Sequence, residues 1–128
     1  MKDAPAEVAH NAKPNQTHVV DVVNMPWRSA GPGIEFKTLW RDEATGASTV
    51  LFRFAPGAQA VAHAHLGVEQ TYVIEGSFED HDSVITAGNF AVREAGSSHK
   101  AFTREGSLHL AFFSAPNKNL ETGEIRSF

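Results

Sequence analysis

Residues 57–76 read GAQAVAHAHLGVEQTYVIEG, and the fold can be worked out from this stretch. Its later part, residues 69–74, is rich in β-branched and aromatic residues and is soon followed by a glycine, which is typical of a strand that ends in a turn. His63 and His65 stand two positions apart. On a strand such residues share one face, whereas on a helix they point in different directions. Two imidazoles on one strand face can reach one metal ion, so this stretch predicts a metal-binding β-structure.

The same strand signal recurs at short intervals along the chain. Glycines and other turn-forming residues separate the apolar runs, which are 49–54, 69–74, 89–92 and 108–113. Residues 42–46 are typical of a hairpin loop, and residues 80–83 of a second tight connection. No window shows the sustained apolar repeat of an amphipathic helix, so an α/β fold is not expected. Short strands at this spacing predict an all-β sandwich or barrel.

The length of 128 residues predicts one domain. We expect an N-terminal arm over residues 1–24, a barrel over residues 25–115 and a polar C-terminal tail over residues 116–128. Edge strands of a barrel need cover, and the arm could supply it by crossing onto a second subunit. The sequence therefore predicts a homodimer.

Composition excludes several classes of function. The net charge of -4 lacks the basic excess of a nucleic-acid binder. No apolar run approaches the roughly 18 residues of a membrane span, and the first residues lack the apolar stretch of a signal peptide, so we expect a cytoplasmic protein. The chain has no Cys. Disulfides and thiolate metal sites are thereby excluded, and any transition metal must be held by imidazole and carboxylate.

Two further residues complete a candidate ligand set with His63 and His65. Glu69 follows a short turn and is expected to open the next strand, facing the same interior. His99 begins another strand-like apolar stretch. Three His and one Glu suit Fe(II), Zn(II), Mn(II) or Ni(II). The alternative is a polar interior network without a metal, although buried imidazoles and carboxylates without partners are costly.

The spacing of these residues resembles the first cupin motif. Gly57, five residues, His63-x-His65, three residues, Glu69, six residues and Gly76 match it at every fixed position. The second motif is matched at Gly88, Gly96 and His99, whereas Glu94 replaces the usual Pro and Thr103 the usual Asn. The resemblance implies a double-stranded β-helix, the jelly-roll barrel of cupins, with one divalent metal inside it, Fe(II) or Zn(II) before Mn(II) or Ni(II).

Within the cupins, the chain is similar to the ChrR-like group. The similar segments are 25–27, 45–46, 53–58 and 73–80. In that group the domain is a zinc-binding module of some anti-sigma factors and also a single-domain protein, and acetylacetone-cleaving dioxygenases look similar. The resemblance does not fix the reaction, because this fold hosts many functions.

Two functions of different classes follow from this resemblance. One is a non-haem Fe(II) dioxygenase that acts on a small oxygenated compound such as a β-dicarbonyl; no sequence feature names a catalytic base. Glu69 departs from the acetylacetone-cleaving enzymes, in which three His hold the iron. The other is a non-catalytic, zinc-bound ligand-binding or sensor protein; a sigma inhibitor is not expected, because only a polar arm precedes the barrel. A sugar-nucleotide epimerase of the same barrel type would lack this ligand set.

The remaining candidates are predicted from strand parity and residue type. Arg53, Gln59, Thr103 and His109 are candidates for a substrate pocket, but the outward face of a strand is expected for His109 and a surface position for Arg53. Tyr72 is expected to point outward. His81 is predicted in a solvated loop, and Arg93 and Glu94 as surface charges. The predicted packing and core residues are Trp27, Trp40, Phe52, Phe54, Phe90, Phe102 and Phe112.

Overall fold

The computed structural model describes residues 15–128, and over this range the chain is all-β, as the sequence predicts. The first six strands are β1 (Arg28–Ser29), β2 (Ile34–Arg41), β3 (Ser48–Phe54), β4 (His63–His65), β5 (Glu69–Asp80) and β6 (Ser83–Thr86). The remaining five strands are β7 (Phe90–Arg93), β8 (Ser98–His99), β9 (Ser107–Phe113), β10 (Asn117–Asn119) and β11 (Ile125–Arg126). No helix of the described range could cross a membrane.

Two antiparallel sheets build the barrel. The larger has the order β1-β2-β3-β9-β5-β6, with β7 also paired to β5. The smaller has the order β11-β10-β4-β8. Two antiparallel sheets of this kind agree with the predicted jelly-roll barrel.

The hairpin loop and the tight connection at residues 80–83 form as predicted, but the strand expected to end before Gly76 continues, because β5 runs to Asp80. Residues 42–47 connect β2 to β3, with Gly46 at a φ of 75°, and the backbone N–H of Gly46 donates to the carbonyl of Asp42. Gly76 also has a positive φ, of 73°, and a Cβ at this position would overlap the carbonyl oxygen of Gly106. Glycine is therefore required where β5 passes β9, for both space and backbone conformation.

The core lies between the sheets and is dominated by aromatic rings. Phe52 and Phe54 are buried there, as predicted. The prediction is wrong for Phe90 and Phe112, which are 52% and 40% exposed. Both lie on the outer face of the larger sheet, because Phe112 alternates with the buried residues of β9 and Phe90 pairs with the exposed Tyr72 of β5. Phe102 is half-buried.

The two described segments that flank residues 25–115 differ in whether they join the barrel. Residues 15–24 form no strand, although the carbonyl of Val22 accepts a hydrogen bond from Lys37 Nζ at 2.6 Å. The predicted arm otherwise falls on residues 1–14, outside the described residues. The predicted tail supplies β10 and β11, which extend the smaller sheet, and Phe128 packs against the core rings of Phe36 and Phe52. The barrel thus continues past residue 115.

Candidate metal centre

The smaller sheet brings three imidazoles together. His63 on β4 is the cross-strand partner of His99 on β8, and His65 lies two residues along β4 on the same face. Glu69, the first residue of β5, closes the group from the larger sheet. One nitrogen or oxygen atom of each residue lies within 4.8 Å of the others. His65, Glu69 and His99 are buried and His63 is half-buried.

Each imidazole has its Nδ1 atom occupied by a protein acceptor. His63 Nδ1 lies 2.9 Å from the carbonyl of Val61, and His65 Nδ1 lies 3.2 Å from Ser97 Oγ. The Ser97 hydroxyl donates to the carbonyl of Glu94 at 2.7 Å, so its lone pair is free to accept from His65. Donation from Nδ1 leaves Nε2 with its lone pair directed at the common centre.

The third imidazole is oriented by a carboxylate that sequence analysis missed. His99 Nδ1 lies 2.9 Å from Asp80 Oδ2. Arg93 Nη1 donates to the same oxygen at 2.7 Å, and Ser83 Oγ donates to Asp80 Oδ1 at 2.7 Å. Burial raises the pKa of Asp80, but hydrogen bonds from His99, Ser83 and Asp82 lower it more, so this carboxyl is ionised. Arg93 is therefore no surface charge, contrary to prediction, because it holds this carboxylate.

The donor atoms at the centre fit a divalent cation. His65 Nε2 and Glu69 Oε1 lie 2.7 Å apart, yet both are enclosed and neither makes a well-directed hydrogen bond. His63 Nε2 and His99 Nε2 are 3.0 Å apart. Enclosed polar atoms without such partners are costly unless a cation binds between them. Nitrogen and carboxylate oxygen are the donors that a divalent transition metal accepts, so this cluster is suited to one.

Protonation states in the cluster also favour coordination. Burial lowers the pKa of His63, and it lowers the pKa of His99 to about 4. These imidazoles are therefore neutral at neutral pH, which is the form that binds metals. Burial raises the pKa of Glu69, but the contact with His65 and the neighbouring imidazoles lower it more, and this carboxyl remains ionised.

The cluster opens into a cavity of about 190 Å³ between the two sheets. Its wall is mainly apolar, and the polar residues that line it are Gln59, His63, Glu69, His99, His109, Asn117, Asn119, Glu124 and Arg126. This volume is below the roughly 300–1,000 Å³ of pockets for drug-sized ligands. The cavity therefore suits a compound of only a few heavy atoms.

Of the four predicted pocket residues, two line the cavity and two lie elsewhere. Gln59 lines the cavity. The outward position expected for His109 is wrong: this residue is 1% exposed and lines the cavity, with its Nδ1 2.8 Å from Ser107 Oγ. Arg53 is not in the pocket, because it lies on the outer face and pairs with Glu35 at 2.8 Å. Thr103 is buried but does not line the cavity.

Thr103 has a structural role instead. Its hydroxyl donates to the carbonyl of Ser77 at 2.6 Å and accepts from the backbone N–H of Gly106 at 2.9 Å. His81 is 64% exposed in the loop after β5, as predicted. The exposed position of Tyr72 also follows the predicted alternation of β5.

Comparisons with known proteins agree with the fold. The chain superposes on an acetylacetone dioxygenase from Acinetobacter johnsonii with a TM-score of 0.78 at 20% identity, covering 90% of this chain and 86% of that one. An RmlC-like cupin from Ralstonia eutropha JMP134 gives a TM-score of 0.76 at 21% identity, covering 87% and 77%. At such identities the likeness establishes the fold alone.

A chain from the complex of Rhodobacter sphaeroides SigE with the anti-sigma ChrR gives a TM-score of 0.63 at 23% identity, covering 72% of this chain and 51% of that one. No curated protein sequence matches this chain. The family model of the ChrR cupin-like domain, however, matches residues 15–116, which is most of the chain. The protein therefore belongs to the ChrR cupin-like family of the cupin superfamily.

Proposed function

We propose that this protein is a non-haem Fe(II) dioxygenase that acts on a small oxygenated compound such as a β-dicarbonyl. The observation that carries this proposal is the position of the metal-suited cluster. Its donors converge beside a mainly apolar cavity lined by His63, Glu69 and His99, where a small molecule can meet the metal. A purely structural metal site needs no such cavity.

His63, His65, Glu69 and His99 would hold the metal. Four protein ligands leave up to two positions of a six-coordinate ion for small molecules. When bound, Fe(II) would supply a Lewis acid that polarises a carbonyl oxygen and a redox centre that reacts with dioxygen.

The chain's own contribution is to exclude water and to position the substrate. Phe52, Phe78 and Phe113 line the cavity, and an apolar wall strengthens the electrostatic interactions within it. His109 stacks on Phe52 with ring centroids 5.5 Å apart. Burial lowers the pKa of His109 to about 4, so at neutral pH it offers an uncharged ring nitrogen to a substrate.

A structural neighbour supports the choice of substrate class. The superposed Acinetobacter johnsonii protein is an acetylacetone dioxygenase, and acetylacetone is a β-diketone small enough for a cavity of about 190 Å³.

Oxygen consumption tests the proposal. Fe(II)-loaded protein would be mixed with a panel of β-diketones and β-keto acids in an oxygen electrode. We expect uptake of dioxygen with at least one compound, and none with Zn(II)-loaded protein or with the His63→Ala variant. Absence of uptake by the Fe(II)-loaded protein with every compound would contradict the dioxygenase.

The alternative is a zinc-bound ligand-binding or sensor cupin without catalysis. The likeness to the ChrR chain favours it, as does a donor set that satisfies tetrahedral Zn(II) with four protein ligands. Elemental analysis of the purified protein separates the two. Stoichiometric zinc, together with a Co(II) spectrum unchanged by small ligands, is expected for the sensor and contradicts the enzyme.

We also propose that two chains pair as a homodimer through the outer face of the larger sheet. Apolar side chains that are 38–52% exposed lie on neighbouring strands there, namely Trp40, Tyr72, Phe90, Val92 and Phe112. An exposed apolar face of this kind is typical of an interface. Gel filtration should give about twice 13.9 kDa. Tyr72→Lys should dissociate the dimer, whereas Val84→Lys, at an exposed valine on β6, should not; a wild-type monomer would contradict the proposal.

A further inference from the structure

The inner face of the smaller sheet continues beyond the metal cluster. β4 lies between β8 and β10, and β10 in turn pairs with β11. His65 is the cross-strand partner of Asn117, and Asn117 is the partner of Arg126. Direct partners in an antiparallel sheet point to the same face. Asn117 and Arg126 accordingly line the same cavity as the cluster.

Among the described residues 15–128, no carboxylate forms an ion pair with Arg126. Arg53, Arg93 and Arg104 each contact a carboxylate at 2.7–2.8 Å. The part of the chain that the structure describes offers no such contact to Arg126, although Glu124 also lines the cavity. Its guanidinium lies 4.5 Å from the ring centroid of Phe128 and 5.5 Å from that of Phe36. These rings contact the exposed side chain beside the cavity, and its guanidinium donates to no acceptor within residues 15–128.

Asn117 supplies a second unpaired polar group between Arg126 and the cluster. Its Oδ1 atom is enclosed and has no hydrogen-bond partner in the described structure. The amide oxygen and nitrogen exchange places by a half-turn of the side chain, so the group can offer a donor at the same position. A ligand that accepts a hydrogen bond there would remove the cost of the enclosed, unpaired amide.

The charge balance of the cavity favours an anion. A divalent ion with Glu69 and three neutral imidazoles carries a net charge of +1, and Arg126 adds another positive charge that Glu124 offsets without contacting it. Arg126 is itself exposed on β11, so its charge acts on a ligand by direct contact rather than at long range. His65 and Arg126 stand two strands apart, about 10 Å between Cα atoms. A short ligand can therefore reach both the metal and the guanidinium.

We propose that Arg126 is a specificity-determining residue and that the cavity binds small β-keto carboxylates in preference to neutral β-diketones. The keto oxygen faces the metal, and the carboxylate accepts hydrogen bonds from Arg126 and from the Asn117 amide. This inference rests on the proposed function and narrows its substrate class.

Acetoacetate and acetylacetone form a matched pair of probes, because they differ in one end group, a carboxylate against a methyl ketone. Titration calorimetry on Zn(II)-loaded protein measures binding without turnover. For wild type we expect acetoacetate to bind at least about tenfold more tightly than acetylacetone. Arg126→Gln should abolish this preference and leave acetylacetone affinity unchanged, and Arg126→Lys should retain part of it. Arg53→Gln, which removes an arginine from the outer face, is the matched control and should behave as wild type.

The possible outcomes separate the two proposals. Equal affinities of wild type for both probes, or a preference that survives Arg126→Gln, would overturn the role of Arg126 and leave the dioxygenase intact. Absence of zinc binding by wild type would overturn the metal centre, and the same titrations on metal-free protein would then decide whether Arg126 binds acetoacetate. Zinc content and thermal midpoint are measured for every variant. If Arg126→Gln fails to fold, loss of the preference in Asn117→Ala supports the proposal and its full retention there overturns it.

Discussion

Two regions of the cavity contain buried imidazoles, and these imidazoles differ in the groups that they contact. At the metal cluster, His99 donates from Nδ1 to the carboxylate of Asp80, and its Nε2 faces other donors. Across the cavity, His109 has a hydroxyl partner, Ser107, and its ring lies 4.1 Å from that of Phe78, between centroids. Burial lowers the pKa of both imidazoles to about 4.

This difference shows that burial alone does not make an imidazole a metal ligand. His99 and His109 are similarly enclosed and both are neutral at neutral pH. What distinguishes the cluster is convergence, since four donor atoms lie within 4.8 Å of one another. An acidic partner on Nδ1 also raises the basicity of Nε2 and holds the ring in place. The comparison can be tested by substitutions on each side.

The largest effect is expected from removing a cluster imidazole. His63→Ala or His99→Ala deletes one of the converging donors and should reduce bound metal from about one ion per chain to none. His109→Ala is the control and should retain the metal. Elemental analysis of dialysed proteins provides the measurement. Equal metal contents in the cluster variants and wild type would disprove the assignment.

A smaller effect is expected when only the orientation of His99 is disturbed. Asp80→Asn keeps the size of the side chain but removes the charge that holds His99 Nδ1, and metal affinity should fall about 10- to 100-fold. Competition with a chromophoric chelator measures this affinity. Glu79→Gln is a matched control, because Glu79 is an equally buried neighbour that binds Arg104 instead. An unchanged affinity in Asp80→Asn would show that the contact is irrelevant to the metal.

The imidazole of His109 should make the stability of metal-free protein depend on pH. Its pKa is about 4 in the folded chain and about 6.5 when unfolded, so the unfolded state binds the extra proton between these values. Above about pH 6.5 the imidazole is neutral in both states, and its titration does not reduce the free energy of unfolding. On acidification, protonation of the unfolded state lowers that free energy by about 3 kcal/mol near pH 4. His109→Gln should show a shallower loss than wild type in urea denaturation across this range. Identical pH profiles of wild type and His109→Gln would contradict the lowered pKa of His109.

The smallest effect is expected on the outer face. Arg53 pairs with Glu35 and lies 4.1 Å from the Trp27 ring centroid, but the ion pair is about half exposed. Arg53→Gln should cost about 1 kcal/mol or less and leave metal content unchanged. Urea denaturation and elemental analysis measure both quantities. A loss of metal in Arg53→Gln would contradict the placement of Arg53 outside the metal centre.

Part of the candidate metal cluster was predictable because strand geometry carries the information locally. His63 and His65 share a face by the period of two, and the glycines around them mark where strands end. His99 was indicated by its match to the second cupin motif, which is a resemblance and not a consequence of strand geometry. Asp80 could not be found in this way. It is 19 residues from His99 in sequence, and an acid in a turn-like segment reads as solvated unless its partner is known.

The orientation of His109 was missed for a different reason. Alternation along β9 separates Ser107, His109 and Ala111 from Leu108, Leu110 and Phe112, but it does not say which set faces inward. The apolar set is normally the buried one. Here the less apolar set faces the cavity, and Phe112 lies on the exposed outer face.

The sequence by itself determined an all-β fold, because strand period and turn residues are local properties of the chain, and its resemblance to the cupin motifs indicated four residues suited to a metal. The tertiary structure alone decided which face of β9 is the interior, which carboxylate orients His99, and that residues after 115 complete the cavity wall. Those features arise from pairing between distant strands. Parity within one strand cannot supply them, since it says which side chains share a face but not what that face meets.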